Sequence, residues 1–379
     1  MQAHLRAPGD GASARFVTQA RLVRIRGQNV LFSASQHAIF ALNDTAADIW
    51  RLLEEGMPAE AVARGIARDR ISTRDAHGQV KAALGDWQRL GLIRPHISPH
   101  DVAAQGHVSQ MLSVAGRRMR ILYPKAHALP TMTIFSHLEV GEGDTDVVFQ
   151  LAAHAGRLHL FRNGEWIVAS APNEMATVLK GEVLSDVLRA ATYELALHAA
   201  ALLKNGRLVL LCGEPGAGKT TLTLALVHAG FGFASDDVAL LNADGRCVGL
   251  PFAPAVKSGA WPLLADYFPD LDTTPTFRRP DNRRVRYLAP NASAAVTTES
   301  WPVGSVILLH RDRAAHPGLD PIDPVDVLRG LVGGAFAPSG ELGDTGFDVL
   351  ARVIASVRAY RLSYSGLDDA VGLVERACQ

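Results

Sequence analysis

The stretch Gly213-Glu214-Pro215-Gly216-Ala217-Gly218-Lys219-Thr220 has the spacing G-x-x-x-x-G-K-[ST]. Such a loop binds phosphate for a physical reason. Its glycines let backbone N–H groups turn inward around an anion, and a following helix N-terminus adds partial positive charge. Residues Gly213 to Thr221 are the expected nucleotide cradle. Lys219 is placed to reach the β- and γ-phosphates of ATP, and the Thr220 hydroxyl to sit on Mg²⁺. Asp236 and Asp237 stand at the mouth of the apolar run Val238–Leu241. Beside a phosphate loop, one carboxylate of such a pair holds Mg²⁺ and the other takes a proton from an attacking hydroxyl. Adjacent carboxylates raise each other's cost of ionising, which a bound cation relieves. Lys257 lies in a segment constrained by proline and glycine, suited to contact an acceptor or a transferred phosphoryl group. Residues 278–286 hold five arginines in nine positions, charge suited to clamping a γ-phosphate or to docking an acidic peptide. Arg284 is taken as the candidate among them, the choice among the five staying open.

The elements that must position these groups are legible around them. Leu208–Cys212 reads as a buried strand entering the loop, and the apolar run from Thr221 to Ala229 as the helix leaving it. Asn205-Gly206 is a hairpin signal joining that strand to an earlier one near Leu195–Leu203, which carries His198. Upstream, Leu112–Val114, Met119–Tyr123, Met132–Phe135 and Val147–Leu151 are expected strands. Asn163-Gly164 joins Arg157–Phe161 to Trp166–Ala169, and Glu174–Leu179 and Leu184–Tyr193 are expected helices. Downstream come a strand at Val306–Leu309 and another at Ala359–Tyr364. Helices are expected near Val325–Leu331, Phe347–Ser356 and Leu367–Ala377, and Pro338–Gly346 reads as a Gly-rich loop.

The N-terminal part has a different pattern. Residues 1–20 read as frayed. Strands Leu22–Arg26, Asn29–Phe32 and Ala38–Leu42 are followed by helices Thr45–Glu55 and Pro58–Arg68 and a third ending near Leu90. Asn43-Asp44 offers the first N-cap, and Ser72 to Asp75 a capping box before the third helix. Three strands then three helices make a small winged-helix module over 20–97, with 94–106 as linker.

Two resemblances rest on these residues. LFSASQHAIFALNDTAADIWRLLEEG, with Leu-Asn-x-Thr-Ala-Ala-x-Ile-Trp at Leu42–Trp50, resembles the PqqD family. That implies capture of a precursor peptide's leader between Ala38–Leu42 and Val80–Leu90, by adding a strand to an open sheet edge. The stretch from Leu197 to Leu241 is similar to the HPr kinase/phosphorylase family, whose fold is shared with phosphoenolpyruvate carboxykinase. This second resemblance implies that Asp236 is the catalytic base, that Asp237 assists the metal and that His198 lies near the phosphates. It also implies a homo-oligomer, since HPr kinases are hexamers. The family's distinctive segment after the Asp-Asp strand is missing, and Leu250–Trp261 has the pattern of its kinase-like relatives instead.

Thirty-eight basic and 38 acidic residues cancel, so no global charge draws the chain to nucleic acid or anionic lipid. The third helix has only Lys81 and Arg89 beyond Arg74, no stripe for a DNA backbone. Three scattered cysteines suit a reducing cytoplasm, and no run is long and apolar enough for a signal peptide or membrane span. The expected architecture is α/β: a winged-helix PqqD-like module, 20–97, joined to an HPr kinase/phosphoenolpyruvate carboxykinase-like domain, 107–379. Within the latter, 107–200 is a mixed part and 201–379 the nucleotide-binding core. The expected activity is ATP- and Mg²⁺-dependent phosphorylation of a Ser or Thr in a ribosomally made peptide. A small-molecule kinase, a non-catalytic nucleotide-gated peptide carrier and a DNA-binding regulator are the alternatives.

Overall fold

The computed structural model describes residues 16–34, 37–67, 72–97, 102, 104–290, 298–311 and 316–378. The first 15 residues of the expected frayed start, and residues 98–101 and 103 of the expected linker, lie outside them. The chain divides into two compact units, Met1–Val102 and Ala103–Gln379.

In the first unit, β2 (Arg21–Ile25), β3 (Gln28–Ser33) and β4 (Ala38–Leu42) form an antiparallel sheet in that order. Three helices come next: α1 (Asp44–Glu54), α2 (Ala59–Ala67) and α3 (Thr73–Arg89). The caps are those the sequence signals. Asn43 Oδ1 accepts from the Ala46 N–H at 2.8 Å, and the Asp75 N–H donates to Ser72 Oγ at 3.2 Å. Ile49, Trp50 and Leu53 share one face of α1 and pack on Val80, Leu84 and Trp87 of α3. The Trp50 and Trp87 rings meet edge to face, 5.0 Å between centroids. One expectation fails here. Phe16–Thr18 is not frayed but forms a strand, β1, pairing with β5 (Ile93–Pro95) inside the expected linker. Phe16 packs against the tryptophan core, and that burial offsets the cost of ordering the segment.

The second unit contains two large sheets. Strands β6 (His107–Val114), β7 (Arg117–Pro124), β8 (Val147–His154), β9 (Arg157–Arg162) and β10 (Glu165–Ser170) form one of five strands. The long helix α4 (Met175–Ala190) buries Met175, Leu179, Val183 and Val187 in this sheet's core. Val238, Leu240, Leu250 and Phe252 join the same core, so 107–200 is continuous with the nucleotide-binding part.

The second sheet has ten strands. Its centre is β13 (Arg207–Cys212), antiparallel to β12 (Ala200–Lys204) and parallel to β20 (Trp301–Arg311). Beyond β12 lies β14 (Gly232–Ser235). β20 also pairs with β16 (Arg246–Gly249), which leads through β15 (Ala239–Leu241) to β11 (Leu195–Leu197) and β22 (Ala335–Phe336). On its other side β20 pairs in parallel with β23 (Arg358–Tyr364), which carries β21 (Gly318–Pro321). Helices α5 (Lys219–His228) and α8 (Leu367–Ala377) pack together on one face, while α6 (Pro324–Val332) and α7 (Asp344–Ser356) join the core on the other. A small third sheet has β19 (Arg284–Tyr287) between β17 (Ala255–Lys257) and β18 (Thr276–Arg278).

Three sequence expectations change in this unit. Met132–Phe135 is helical, within turns over Ala128–Met132 and Thr133–Leu138. Ile134, Phe135 and Leu138 are its buried residues, a helical spacing that a short apolar run does not distinguish from a strand's. The two helices expected over 174–193 are one, α4, which passes through Gly181 where an added Cβ would meet nothing within 4 Å. The single strand expected at Leu195–Leu203 is two, β11 and β12, with His198 in the break, its N–H bonded to the Gly334 carbonyl at 2.9 Å. Among the described residues no helix is long and apolar enough to cross a membrane.

Candidate active site

β13 is buried at every position after Arg207, so Cys212 delivers the chain rigidly to the loop at 213–218. Gly216 and Gly218 have φ of +96° and +97°, a region that side chains with a Cβ rarely adopt. Gly218 is the N-cap of α5, and the Leu222 N–H donates to its carbonyl at 2.9 Å. Glu214 and Pro215 are exposed on the crest of the loop, and Thr221 lies in the first turn of α5. Tyr364, from β23, braces the loop by donating its hydroxyl to the Ala217 carbonyl at 3.0 Å.

Lys219 is buried, and its Nζ donates to the Gly213 carbonyl at 3.1 Å. Burial pushes its pKa below the ordinary lysine value, opposed by the charges of Asp237, Cys212, Asp236 and Glu214. The other half of the site is built by Ser235 at the end of β14. Its hydroxyl accepts from the N–H groups of Asp237 and Val238 at 3.2 and 3.0 Å, fixing a turn that presents both aspartates.

The Thr220 hydroxyl donates to Asp236 Oδ2 at 3.2 Å, so the loop and the first aspartate form one cluster. Asp236 is 7% exposed, and its Oδ1 is buried with no hydrogen-bond partner. Burial pushes its pKa up to about 6, against the pull of Lys180, Thr220 and Lys219. Asp237 is more open, and His198 Nδ1 lies 3.0 Å from its Oδ1. Burial raises the Asp237 pKa, but the His198 bond and charge, with Lys180 and Lys219, outweigh it and leave the pKa low. Thr220 is thus bonded to Asp236, and no direct bond joins it to Asp237 among the described residues.

A lysine that the sequence pattern does not mark belongs to the same cluster. Lys180, in mid-α4, donates to the Ala253 carbonyl at 2.8 Å and lies 5.3 Å from the centroid of the Tyr287 ring. Burial lowers its pKa, while Asp236 and Asp237 raise it and Arg279 lowers it further. Only the folded chain brings the Ala253 carbonyl, 73 residues downstream, to this ammonium.

Strand alternation sorts the basic segment. Lys257, Val285 and Phe277 are in register across β17, β19 and β18 and so share a face, the latter two buried in the α4 core. Arg279 lies just past the end of β18, its N–H bonded to the Arg283 carbonyl at 2.9 Å, and its charge acts on Lys180 and Tyr287. Arg284 and Arg286 occupy the opposite face, 5.6 and 4.0 Å from the centroid of the Trp261 ring, with Arg286 also 2.7 Å from Asp272. Arg278 and Arg284 line a cleft of about 390 Å³ there, with Asn173, Thr276, Phe277 and Asn282. No hydrogen bond or ion pair links Arg284 to the Asp236 cluster among the described residues.

The residues present fit a nucleotide with Mg²⁺. The loop has the left-handed glycines an inward-turned amide cradle needs, and Asp236 offers an unused buried oxygen. Among the described residues no group of three or more His, Cys, Asp or Glu stands ready for a metal. Mg²⁺ takes one or two carboxylates and fills its remaining positions with water and phosphate oxygens.

Residues 28–93 match the family model for PqqD, described as coenzyme PQQ synthesis protein D. The chain is similar to a solved lasso peptide synthetase B1 complexed with the leader peptide, at 24% identity and a TM-score of 0.20. That match covers 22% of this chain and 100% of the other. It is also similar to the Hpr(Ser) kinase/phosphatase from Coxiella burnetii, at 15% identity and a TM-score of 0.26, covering 48% of this chain and 95% of that one. A search of curated proteins returns no match. Residues 28–93 are a PqqD domain, carried on one polypeptide with the loop Gly213–Thr220 and the Asp236–Asp237 pair.

Proposed function

We propose that this chain is a kinase that transfers the γ-phosphate of ATP to a Ser or Thr hydroxyl of a ribosomally made precursor peptide. Residues 20–97 recruit the peptide by its leader, and residues 107–379 carry out the transfer. The observation that carries the reading is the bond from Thr220 of the phosphate loop to Asp236, a carboxylate whose second oxygen is buried and free to accept.

Each role rests on the geometry. Amides of residues 213–221 and the Lys219 ammonium hold the phosphates. Asp236, with a pKa near 6, is mostly ionised at neutral pH and accepts the proton of the attacking hydroxyl. Mg²⁺, held by Thr220 and Asp237, supplies charge neutralisation on the phosphate oxygens. His198 orients Asp237 through their 3.0 Å contact. Lys257 contacts the acceptor or the transferred group, and Arg279, the arginine whose charge acts on Lys180, is the better candidate of the five for steadying the transferred charge.

Leader capture is supported by the open edge of β4, which among the described residues pairs only with β3 and exposes Ile39 at 72%. An added peptide strand hydrogen-bonds such an edge, and its side chains cover the exposed apolar positions. Tethering a leader site to the catalytic unit raises the local concentration of the core peptide. Sequence selectivity then resides in the leader.

The test is mass spectrometry of short peptides encoded by the genes neighbouring this one, each incubated with the full chain, ATP and Mg²⁺. The expected result is one phosphoryl mass gain, reduced by about 10²–10⁴ in Asp236→Asn. Ile39→Asp is expected to raise KM for the peptide with kcat kept. A gain undiminished in Asp236→Asn overturns the assignment of the base, and no gain with wild type overturns the kinase reading.

A further inference from the structure

Lysine is rarely drawn into a protein interior without a carboxylate partner. Lys180 is half-buried in the second unit, held by one backbone carbonyl and an aromatic face, and no carboxylate forms an ion pair with it among the described residues. An ammonium has three donors, and the Ala253 carbonyl uses one. Two other groups of this neighbourhood are also incompletely used. Asp236 Oδ1 is buried without a hydrogen bond. Arg279 Nε is buried without one too, with Asp281 as an ion-pair neighbour at 3.4 Å.

The two buried atoms without a hydrogen bond among the described residues cost stability, while the half-buried Lys180 keeps donors free for water or a ligand. A ligand with acceptors for the two cations and a donor for the carboxylate would meet all three groups. A phosphoryl group in transfer beside an attacking hydroxyl has that composition. Its equatorial oxygens accept hydrogen bonds, and the hydroxyl donates one.

We propose that Lys180 is a catalytic residue that, with Arg279, grips the oxygens of the phosphoryl group while it moves from nucleotide to acceptor. The inference rests on the kinase reading above and adds a cation supplied by α4 rather than by the phosphate loop. The acceptor oxygen forms a bond to the γ-phosphorus as the bond from that phosphorus to the β–γ bridging oxygen breaks. The electron pair leaves with the nucleoside diphosphate, and the hydroxyl proton passes to Asp236 Oδ1. Negative charge spreads over the equatorial oxygens in this transition state, where Lys180 and Arg279 meet it.

The test needs no peptide. ADP–Mg²⁺ with aluminium fluoride mimics the phosphoryl group in flight, and its affinity is measured by calorimetry on the full chain against ADP–Mg²⁺ alone. Wild type is expected to bind the fluoride complex at least tenfold more tightly than ADP–Mg²⁺. Lys180→Met keeps the length of the side chain and is expected to lose that gain, with ADP–Mg²⁺ affinity held within about twofold. Lys180→Arg is expected to restore part of it. Arg279→Gln, on a partly exposed loop where folding is not at stake, is expected to lose it too. A gain that survives in both Lys180→Met and Arg279→Gln overturns the inference, as does wild type that binds ADP–Mg²⁺ without any gain. Wild type that fails to bind ADP–Mg²⁺ overturns the nucleotide reading and this inference with it.

Discussion

Asp186 ties α4 to the five-stranded sheet, and replacing it by Asn tests how firmly the helix that carries Lys180 is held. The carboxylate is 1% exposed. Arg117 Nε reaches its Oδ2 at 3.0 Å, and Arg162 reaches Oδ1 with Nε at 2.8 Å and Nη2 at 2.5 Å. Asn keeps one acceptor but turns an N–H₂ group toward guanidinium donors. The contact from one arginine is then lost and those from the other keep only the guanidinium charge, where such contacts contribute about 1.5–3 kcal/mol each. The arginine side chains are 24% and 34% exposed, so water compensates them in part. The expected cost is about 2–3 kcal/mol, below that of breaking a fully buried pair. For a unit of this size that lowers Tm by roughly 5–10 °C in scanning calorimetry at pH 7. The pH dependence has a definite sign. The arginines hold the Asp186 pKa below its ordinary value against the upward push of burial. Its stabilisation is therefore complete above the unfolded value of about 3.9 and disappears as pH falls through the folded one. The gap between wild type and Asp186→Asn is expected to be constant from pH 7 to about 5 and to close on further acidification. Equal Tm values at pH 7, or a gap that widens in acid, would refute this account.

Gly218→Ala places a Cβ at φ +97°, a strain of about 1–2 kcal/mol. ATP affinity by calorimetry is expected to fall about tenfold, while circular dichroism stays that of wild type. Trp50→Ala removes a fully buried ring from the first unit and is expected to cost about 3–5 kcal/mol, seen as loss of that unit's calorimetric transition. His137 is kept from protonation chiefly by burial, opposed by its bond to the Pro251 carbonyl and aided by Lys180. With the folded pKa below the unfolded one, the unfolded chain binds more protons, so stability is lost as pH falls from about 7 to 5. His137→Gln is expected to flatten that slope in denaturant titrations.

The conformation of the loop at 213–218 was legible because its backbone demands glycines at Gly216 and Gly218, and β13 and α5 are local in sequence. The Asp236–Asp237 pair was legible for the same reason, lying shortly after the α5 helix. Lys180 was not, because a lone lysine on a helix ordinarily faces water and nothing near it in sequence marks Ala253 as its partner. The five arginines became distinguishable only once the fold set Arg284 and Arg286 against the Trp261 ring and brought the charge of Arg279 to bear on Lys180. Phe16–Thr18 has too few residues to show a period, and only Ile93–Pro95 completes it. His198 was placed within one strand, whereas the change of partners between β11 and β12 puts it in a break beside Asp237.

The parallel pairing of β13 with β20, and the reach of Tyr364 across 147 residues to Ala217, set an order of assembly during synthesis. The first unit can close once Pro95 has left the ribosome, because its last pairing is with Phe16. The loop at 213–220 must wait for β20 and β23 to be made. A nascent chain thus completes the β2–β3–β4 sheet well before the loop at 213–220 has its flanking strand and its Tyr364 brace.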